Sequence, residues 1–273
     1  MFVLFSSQMC GAITERSYIG ASLIELLHTA TLVHDDVVDD AMERRGMFSI
    51  NALWKNKIAV LVGDYLLSKG LLVSLEHDAG DLLKITSRAV KEMSEGELLQ
   101  IEKARRLNLD EEIYFEIIRK KTASLIASSF ATGAAAGGAD PQTIEKMRLI
   151  GEKLGIAFQI KDDLFDFGDE DVGKPRGIDI KEKKMTLPII KVLNDAPRNQ
   201  RRKLVNTIKR HHKNSEKVKE VISYVHQQGG IKYARTVMEQ YKNEAITLLN
   251  EFPANSGRQS LLDLIQYTVD RKS

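Results

Sequence analysis

The stretch Leu32-Val33-His34-Asp35-Asp36-Val37-Val38-Asp39 sets an acidic pattern, DDxxD, inside an apolar run. The chain repeats the pattern at Asp162-Asp163-Leu164-Phe165-Asp166, after Ile156-Ala157-Phe158 and Ile160. On a helix, residues i and i+4 lie one above the other and i+1 lies about 100° around. Each motif therefore presents three carboxylates as a compact claw. Like charges at this spacing cost about 0.2–0.5 kcal/mol even when exposed, and burial raises the cost sharply. A positive charge is expected between them. One copy alone reads equally well as a solvated acidic patch; two copies with apolar flanks point to a shared metal site. Hard carboxylate oxygens without nearby Cys or paired His favour Mg²⁺ over zinc or copper. Mg²⁺ binds through a few carboxylates plus substrate phosphates, so the expected ligand is a phosphorylated molecule held between two helices. Neither motif has the alternating acidic loop of an EF-hand, with its central Gly and terminal Glu.

Around these motifs the chain reads as helical. It has 273 residues and only five Pro, and apolar residues recur at intervals of three and four. No linker divides it, so a single domain over residues 1–273 is expected. One cysteine, Cys10, excludes an internal disulfide and fits a reducing cytoplasm. A net charge of +2 gives no bulk argument for nucleic acid. No signal peptide is evident, and no apolar run approaches the ~20 residues of a membrane span. Helices are expected over 19–38, 58–75, 82–102 and 110–137, with 41–51 as a loop. Asp140-Pro141 is a helix start, and that helix runs through Gly151 or restarts there on its way to the second motif. The run Ala131-Thr132-Gly133-Ala134-Ala135-Ala136-Gly137-Gly138 lets two helices approach closely. Residues 168–187 lack an apolar period, and a structureless stretch of that length is usually functional. It reads as a lid, with Lys174 and Lys184 as candidate phosphate contacts. The basic run 198–219 reads as a solvated helix face.

Several polar groups fall where they aim at the acidic residues. His28 lies two helical turns before Asp35, Arg44-Arg45 follow the first motif by one loop, and Lys121-Thr122 sit within an apolar helix. Gln159 precedes Asp162 by nearly one turn.

Taken together, the chain resembles the trans-prenyltransferases, the head-to-tail polyprenyl diphosphate synthases, and among them the medium- and long-chain octaprenyl type. The resemblance runs nearly end to end. It is carried by the block from His28 through Asp40 to Arg44-Arg45-Gly46, and by Gly63-Asp64, Glu95-Gly96-Glu97 with Gln100, and Lys121-Thr122-Ala123. Phe158-Gln159-Ile160-Lys161-Asp162-Asp163, Gly173-Lys174 and Lys184-Met185-Thr186-Leu187-Pro188 follow in the same order. It implies an all-α isoprenoid-synthase bundle around a deep central cavity, a homodimer, and Mg²⁺ bridging both motifs to an allylic diphosphate. The implied reaction ionises that diphosphate and adds isopentenyl diphosphate, five carbons at a time.

By the same resemblance, Asp35, Asp39 and Asp162 are direct Mg²⁺ ligands, with Asp36, Asp163 and Asp166 ligating or just behind them. Arg44, Lys121, Gln159 and Lys174 hold the allylic diphosphate, Thr122 borders the reacting carbon, and His28 and Arg45 meet isopentenyl diphosphate. Bulky aromatics four and five places before the first Asp act as a floor for the growing chain in this family. Here Thr31 and Ala30 stand there, both small, so the tail is expected to pass toward Leu27 and Ile24 and to exceed twenty carbons, plausibly to the length of a quinone side chain. The family's Gly-Lys-x-x-Arg-Pro block should end where this chain begins, which predicts that this block and at least one helix before Phe2 are missing. A chain-length-setting subunit of a heteromeric synthase is one alternative. A class I terpene cyclase is another, although those enzymes usually replace the second DDxxD.

Overall fold

Helix starts are fixed by short polar side chains that satisfy the unpaired N–H groups of a first turn. Thr14 and Ser17 form a reciprocal capping box, Ser49 accepts from the N–H of Ala52 at 2.9 Å, and Asp110 from that of Ile113 at 2.9 Å. Asp140 accepts from Gln142 and Thr143 N–H at 2.9 and 3.1 Å, with Pro141 opening the helix. The structure, a computed structural model, describes residues 1–44, 46–106, 110–167 and 177–271, with backbone alone at 104–106. Arg45 and Lys174, both expected at the site, lie outside the described residues.

In chain order the helices are α1 (Phe2–Cys10), α2 (Glu15–Val38), α3 (Ile50–Glu76), α4 (Gly80–Arg106) and α5 (Glu111–Ile118). A π-helical turn, Arg119–Ala123, joins α5 to α6 (Ser124–Ala136). Next come α7 (Pro141–Phe165), α8 (Ile178–Lys181), α9 (Leu187–Asp195), α10 (Arg198–Arg210), α11 (Ser215–Gln227), α12 (Gly230–Asn250) and α13 (Ser256–Asp270). The loop expected at 41–51 contains a small antiparallel hairpin, β1 (Glu43–Arg44) and β2 (Met47–Phe48), turning at Gly46 with φ 75°. Helix α7 continues through Gly151.

The chain divides into two compact units. The first comprises Met1–Lys91, Leu125–Gly151 and Phe252–Leu261. Its core joins Leu23 of α2, Ala79 and Leu82 at the α3–α4 corner, and Ala135 and Ala136 of α6. The small-residue run brings α6 onto α1: a Cβ on Gly133 would stand 2.3 Å from the Val3 carbonyl oxygen. The Ser7 hydroxyl donates to the Gly133 carbonyl at 2.8 Å across the same contact. Helices α2 and α3 also run side by side. The face of α3 that is buried carries Ala59, Gly63, Gly70 and Ser74, while Trp54, Leu61, Tyr65, Leu72 and Leu75 are exposed. By length and composition α3 is apolar enough to cross a membrane, although Asp64 and Lys69 interrupt it.

The second unit comprises Glu92–Ser124, Glu152–Glu251 and Leu262–Ser273. Its interior includes α9, buried through Leu187, Pro188, Ile189, Ile190, Val192 and Leu193. Gly230 lets α12 start against the Pro188 carbonyl, where a Cβ would come within 2.6 Å. The lid expected over 168–187 falls partly outside the described residues. Its remainder, 177–187, is anchored: Ile180 and Leu187 are fully buried and Met185 nearly so. That half is a wall rather than a cover, because three of its four apolar side chains are buried and Ile178 is half-buried.

Replacing Gly133 with Ala should lower the unfolding midpoint, because the new methyl meets backbone, which cannot swing aside; overpacking costs about 1–3 kcal/mol. Gly80→Ala, where nothing lies within 4 Å of the new Cβ, should leave the midpoint unchanged or raise it. Thermal melts followed by circular dichroism make the comparison.

Candidate active site

The first acidic cluster ends α2. Its middle aspartate, Asp36, is buried, and Arg44 from β1 grips one of its carboxylate oxygens through Nε at 2.8 Å and Nη2 at 2.7 Å. A two-donor guanidinium contact fixes orientation as well as charge. Arg44, expected on a diphosphate, is therefore placed on Asp36. Asp35 is half-buried and Asp39, which caps the helix, is exposed. His34 lies against α3, its Nε2 3.3 Å from the Val60 carbonyl and 3.4 Å from an Asp64 oxygen. Only a glycine at 63 permits this, since a Cβ there would be 2.2 Å from the ring.

Upstream on α2, Ile24, Leu27 and Ala30 are buried and Thr31 is half-buried. The Thr31 hydroxyl donates to the His28 carbonyl at 2.8 Å. Leu27 faces α3, 3.7 Å from where a Cβ on Gly70 would stand. Ala30 is fully enclosed.

The second cluster ends α7, in the other unit, and is wired more densely. Asp163 is 4% exposed. One of its oxygens accepts from the Tyr114 hydroxyl at 2.7 Å and the Leu187 N–H at 3.4 Å. The other accepts from the Gln159 amide at 3.1 Å. Gln159 in turn accepts from the Thr122 hydroxyl at 2.8 Å. A chain of donors thus runs Thr122, Gln159, Asp163, with Tyr114 closing it from the other side.

Asp166 receives the N–H of Ile178 at 2.7 Å, and its second oxygen is buried with no hydrogen-bond partner among the described residues. Asp162 is paired with Arg271. Lys121 pairs with Glu97, and Lys184 with Glu182 at 2.7 Å.

Burial pushes the Asp163 carboxyl up to about 6, against the hydrogen bonds from Tyr114, Gln159 and Leu187 that favour its charged form. Asp179, in α8, is pushed up to about 7 by burial and then by the charges of Asp163 and Asp166. Burial also raises Asp166. In all three carboxyls burial is the largest cause of the rise, and neighbouring carboxylates add to it.

Lys121 and Thr122 lie on the π-helical turn, a feature frequent at functional sites. Two glycines make room for it. A Cβ on Gly96 of α4 would sit 2.8 Å from the Lys121 nitrogen, and one on Gly155 of α7 2.5 Å from the Ala123 Cα.

The donor set of the second cluster suits a hard divalent cation: all carboxylate, with one buried oxygen of Asp166 unpartnered among the described residues. Among the described residues no group of three His, Cys, Asp or Glu is placed to hold a metal ion, so neither motif forms the three-carboxylate claw expected of it. Tyr114, Asp179 and Arg271 were not expected from the sequence. Tyr114 and Arg271 meet the cluster over separations of 49 and 109 residues, which no local pattern records. Asp179 lay within the segment read as a lid.

Residues 1–225 match the family described as polyprenyl synthetase. The chain is 35% identical over 260 residues to the short chain isoprenyl diphosphate synthase of Methanothermobacter thermautotrophicus, across 92% of this chain and 79% of that one. It is 34% identical over 275 residues to heptaprenyl diphosphate synthase component 2 of Bacillus subtilis, across 100% and 78%. The crystal structure of a Caulobacter crescentus polyprenyl synthase complexed with calcium and isoprenyl diphosphate superposes with a TM-score of 0.91 at 32% identity, covering 100% of this chain and 84% of that one. The all-α architecture is therefore the isoprenoid-synthase fold, and the chain belongs to the polyprenyl synthetase family of trans-prenyltransferases.

Proposed function

We propose that this chain condenses isopentenyl diphosphate head-to-tail with an allylic diphosphate in a Mg²⁺-dependent reaction, with aspartates of each cluster as metal ligands, to make an all-trans product longer than twenty carbons. The observation that carries this reading is shared by the two clusters. In each, the second aspartate is buried and tied inside the protein: Asp36 by Arg44, and Asp163 by Tyr114, Gln159 and Leu187. Asp35, Asp39 and Asp162 are less buried. That division suits a cation that takes few protein ligands, and the calcium in the Caulobacter complex supports a divalent ion.

When bound, the metal offsets diphosphate charge and eases its departure. The chain's own residues then position the reactants. The Thr122–Gln159 bond holds the Gln159 amide toward Asp163, and Lys121, Lys174, Arg45 and Lys184 supply positive charge for diphosphate oxygens. The allylic C–O bond breaks, the isopentenyl double bond attacks the allylic carbon, and a proton leaves. No side-chain nucleophile takes part, in keeping with the Cys10 thiol, which burial and then Asp140 push up to about 11.

Relatives named for short-chain and heptaprenyl products show that the family alone does not set chain length. The length reading rests on Thr31, half-buried, in place of an aromatic; Ala30, expected beside it, is enclosed in the core. Each added unit gains from burying more hydrocarbon, at roughly 0.8 kcal/mol per CH₂, so an open path favours further extension. The exposed apolar stripe of α3 supports a homodimer: Ile58, Leu61, Tyr65, Leu72 and Leu75 recur at helical spacing beyond the break at Lys55, and Trp54 is exposed before it.

Three outcomes are expected. With Mg²⁺, farnesyl diphosphate and labelled isopentenyl diphosphate, the purified chain should give elongated diphosphates, and Asp39→Asn or Asp162→Asn should slow it on the order of 10²-fold or more. Cyclic hydrocarbons would instead indicate a cyclase, and turnover only with a second protein a subunit. Thr31→Phe should shorten the products by one or more isoprene units in mass spectra; an unchanged ladder overturns the floor argument. It is the cleaner variant, since Phe at the enclosed Ala30 also overpacks the core. Light scattering should give a dimer mass, and Leu61→Asp with Tyr65→Asp should give a monomer.

A further inference from the structure

We propose that Arg271, at the C-terminal end of the chain, is the resident counter-cation of the second cluster, holding Asp162 until a divalent ion displaces it. The inference rests on the reading of Asp162 as a metal ligand.

The guanidinium pairs with Asp162 and is received by a built cradle. It lies 4.3 Å from the ring centre of Phe158 and 5.5 Å from that of Phe165. Phe158, Asp162 and Phe165 sit at i, i+4 and i+7 on α7, so one face presents two aromatic faces around one carboxylate. Stacking of a planar guanidinium on aromatic rings suits Arg and not Lys. Arg271 Nε is buried without a hydrogen-bond partner among the described residues, so the group is held by charge and rings rather than by a closed donor network. A contact secured in this way can be exchanged. The aromatic pair keeps the guanidinium near the cluster after Asp162 is released, with Asp163 and Asp166 on the same helix end.

A protein whose binding-competent form is only partly populated binds more weakly by that fraction. A part-exposed ion pair is worth up to about 1 kcal/mol, so freeing Asp162 should tighten metal binding about three- to fivefold. The test is calorimetric titration of the substrate-free protein with Mn²⁺, for the parent, Arg271→Gln, Arg271→Lys, Asp162→Asn and the Arg271→Gln/Asp162→Asn pair. Support is tighter binding in Arg271→Gln, an intermediate value in Arg271→Lys, no gain from Arg271→Gln in the Asp162→Asn background, and a difference that shrinks at high salt. Unchanged or weaker Mn²⁺ binding by both Arg271 variants, with Asp162→Asn still weaker than the parent, overturns the counter-cation role while leaving the metal site standing. Mn²⁺ binding that is indifferent to Asp162→Asn overturns both. Melting curves identify any variant that has failed to fold, and Arg271→Lys keeps the test decisive if Arg271→Gln does.

Discussion

Carboxylates stacked at helical spacing repel one another, and much of the described structure around both motifs answers that repulsion. Two solutions appear. At the end of α2 a single guanidinium from the hairpin neutralises Asp36, so the strand pair Glu43–Arg44 and Met47–Phe48 is in effect a handle for Arg44. At the end of α7 the buried aspartate is met by neutral donors: a tyrosine hydroxyl, a glutamine amide and a backbone N–H. Neutral donors orient a carboxylate without cancelling its charge. Burial raises the carboxyls of Asp163, Asp166 and Asp179, while Arg271 meets Asp162 and, in the first cluster, Arg44 meets Asp36.

Glycines set the distances at which these side chains work. Gly63 admits the His34 ring beside Asp64, while Gly96 and Gly155 admit the backbone of the π-helical turn. Each replaces a contact that any side chain would obstruct with one that positions a polar group. The large residues that a helix normally buries are consequently displaced outward on α3, leaving its exposed side the apolar one.

The helical fold was legible because its signals are local: apolar spacing, and caps such as Asp110 and Asp140-Pro141. Both acidic motifs were legible for the same reason, and so were Lys121-Thr122 and Gln159 as polar residues in apolar helices. What the sequence hid was partnership. Arg44 precedes no visible partner pattern, yet it meets Asp36 eight residues back. Tyr114 looks like an ordinary core aromatic until Asp163 is beside it. The segment 177–187 looked unstructured because its three apolar anchors, Ile180, Met185 and Leu187, follow no helical or strand period. Contacts that depend on tertiary proximity leave no spacing to read.

A π-helical turn contains one residue more than the α-helical turn it replaces. Rewinding Arg119–Ala123 as an ordinary α-helical turn, with every residue kept, would offset the side chains along it by about 100°. The hydroxyl now bonded to Gln159 would then face elsewhere. The winding of this turn, and not only the identity of residue 122, therefore decides where that hydroxyl points.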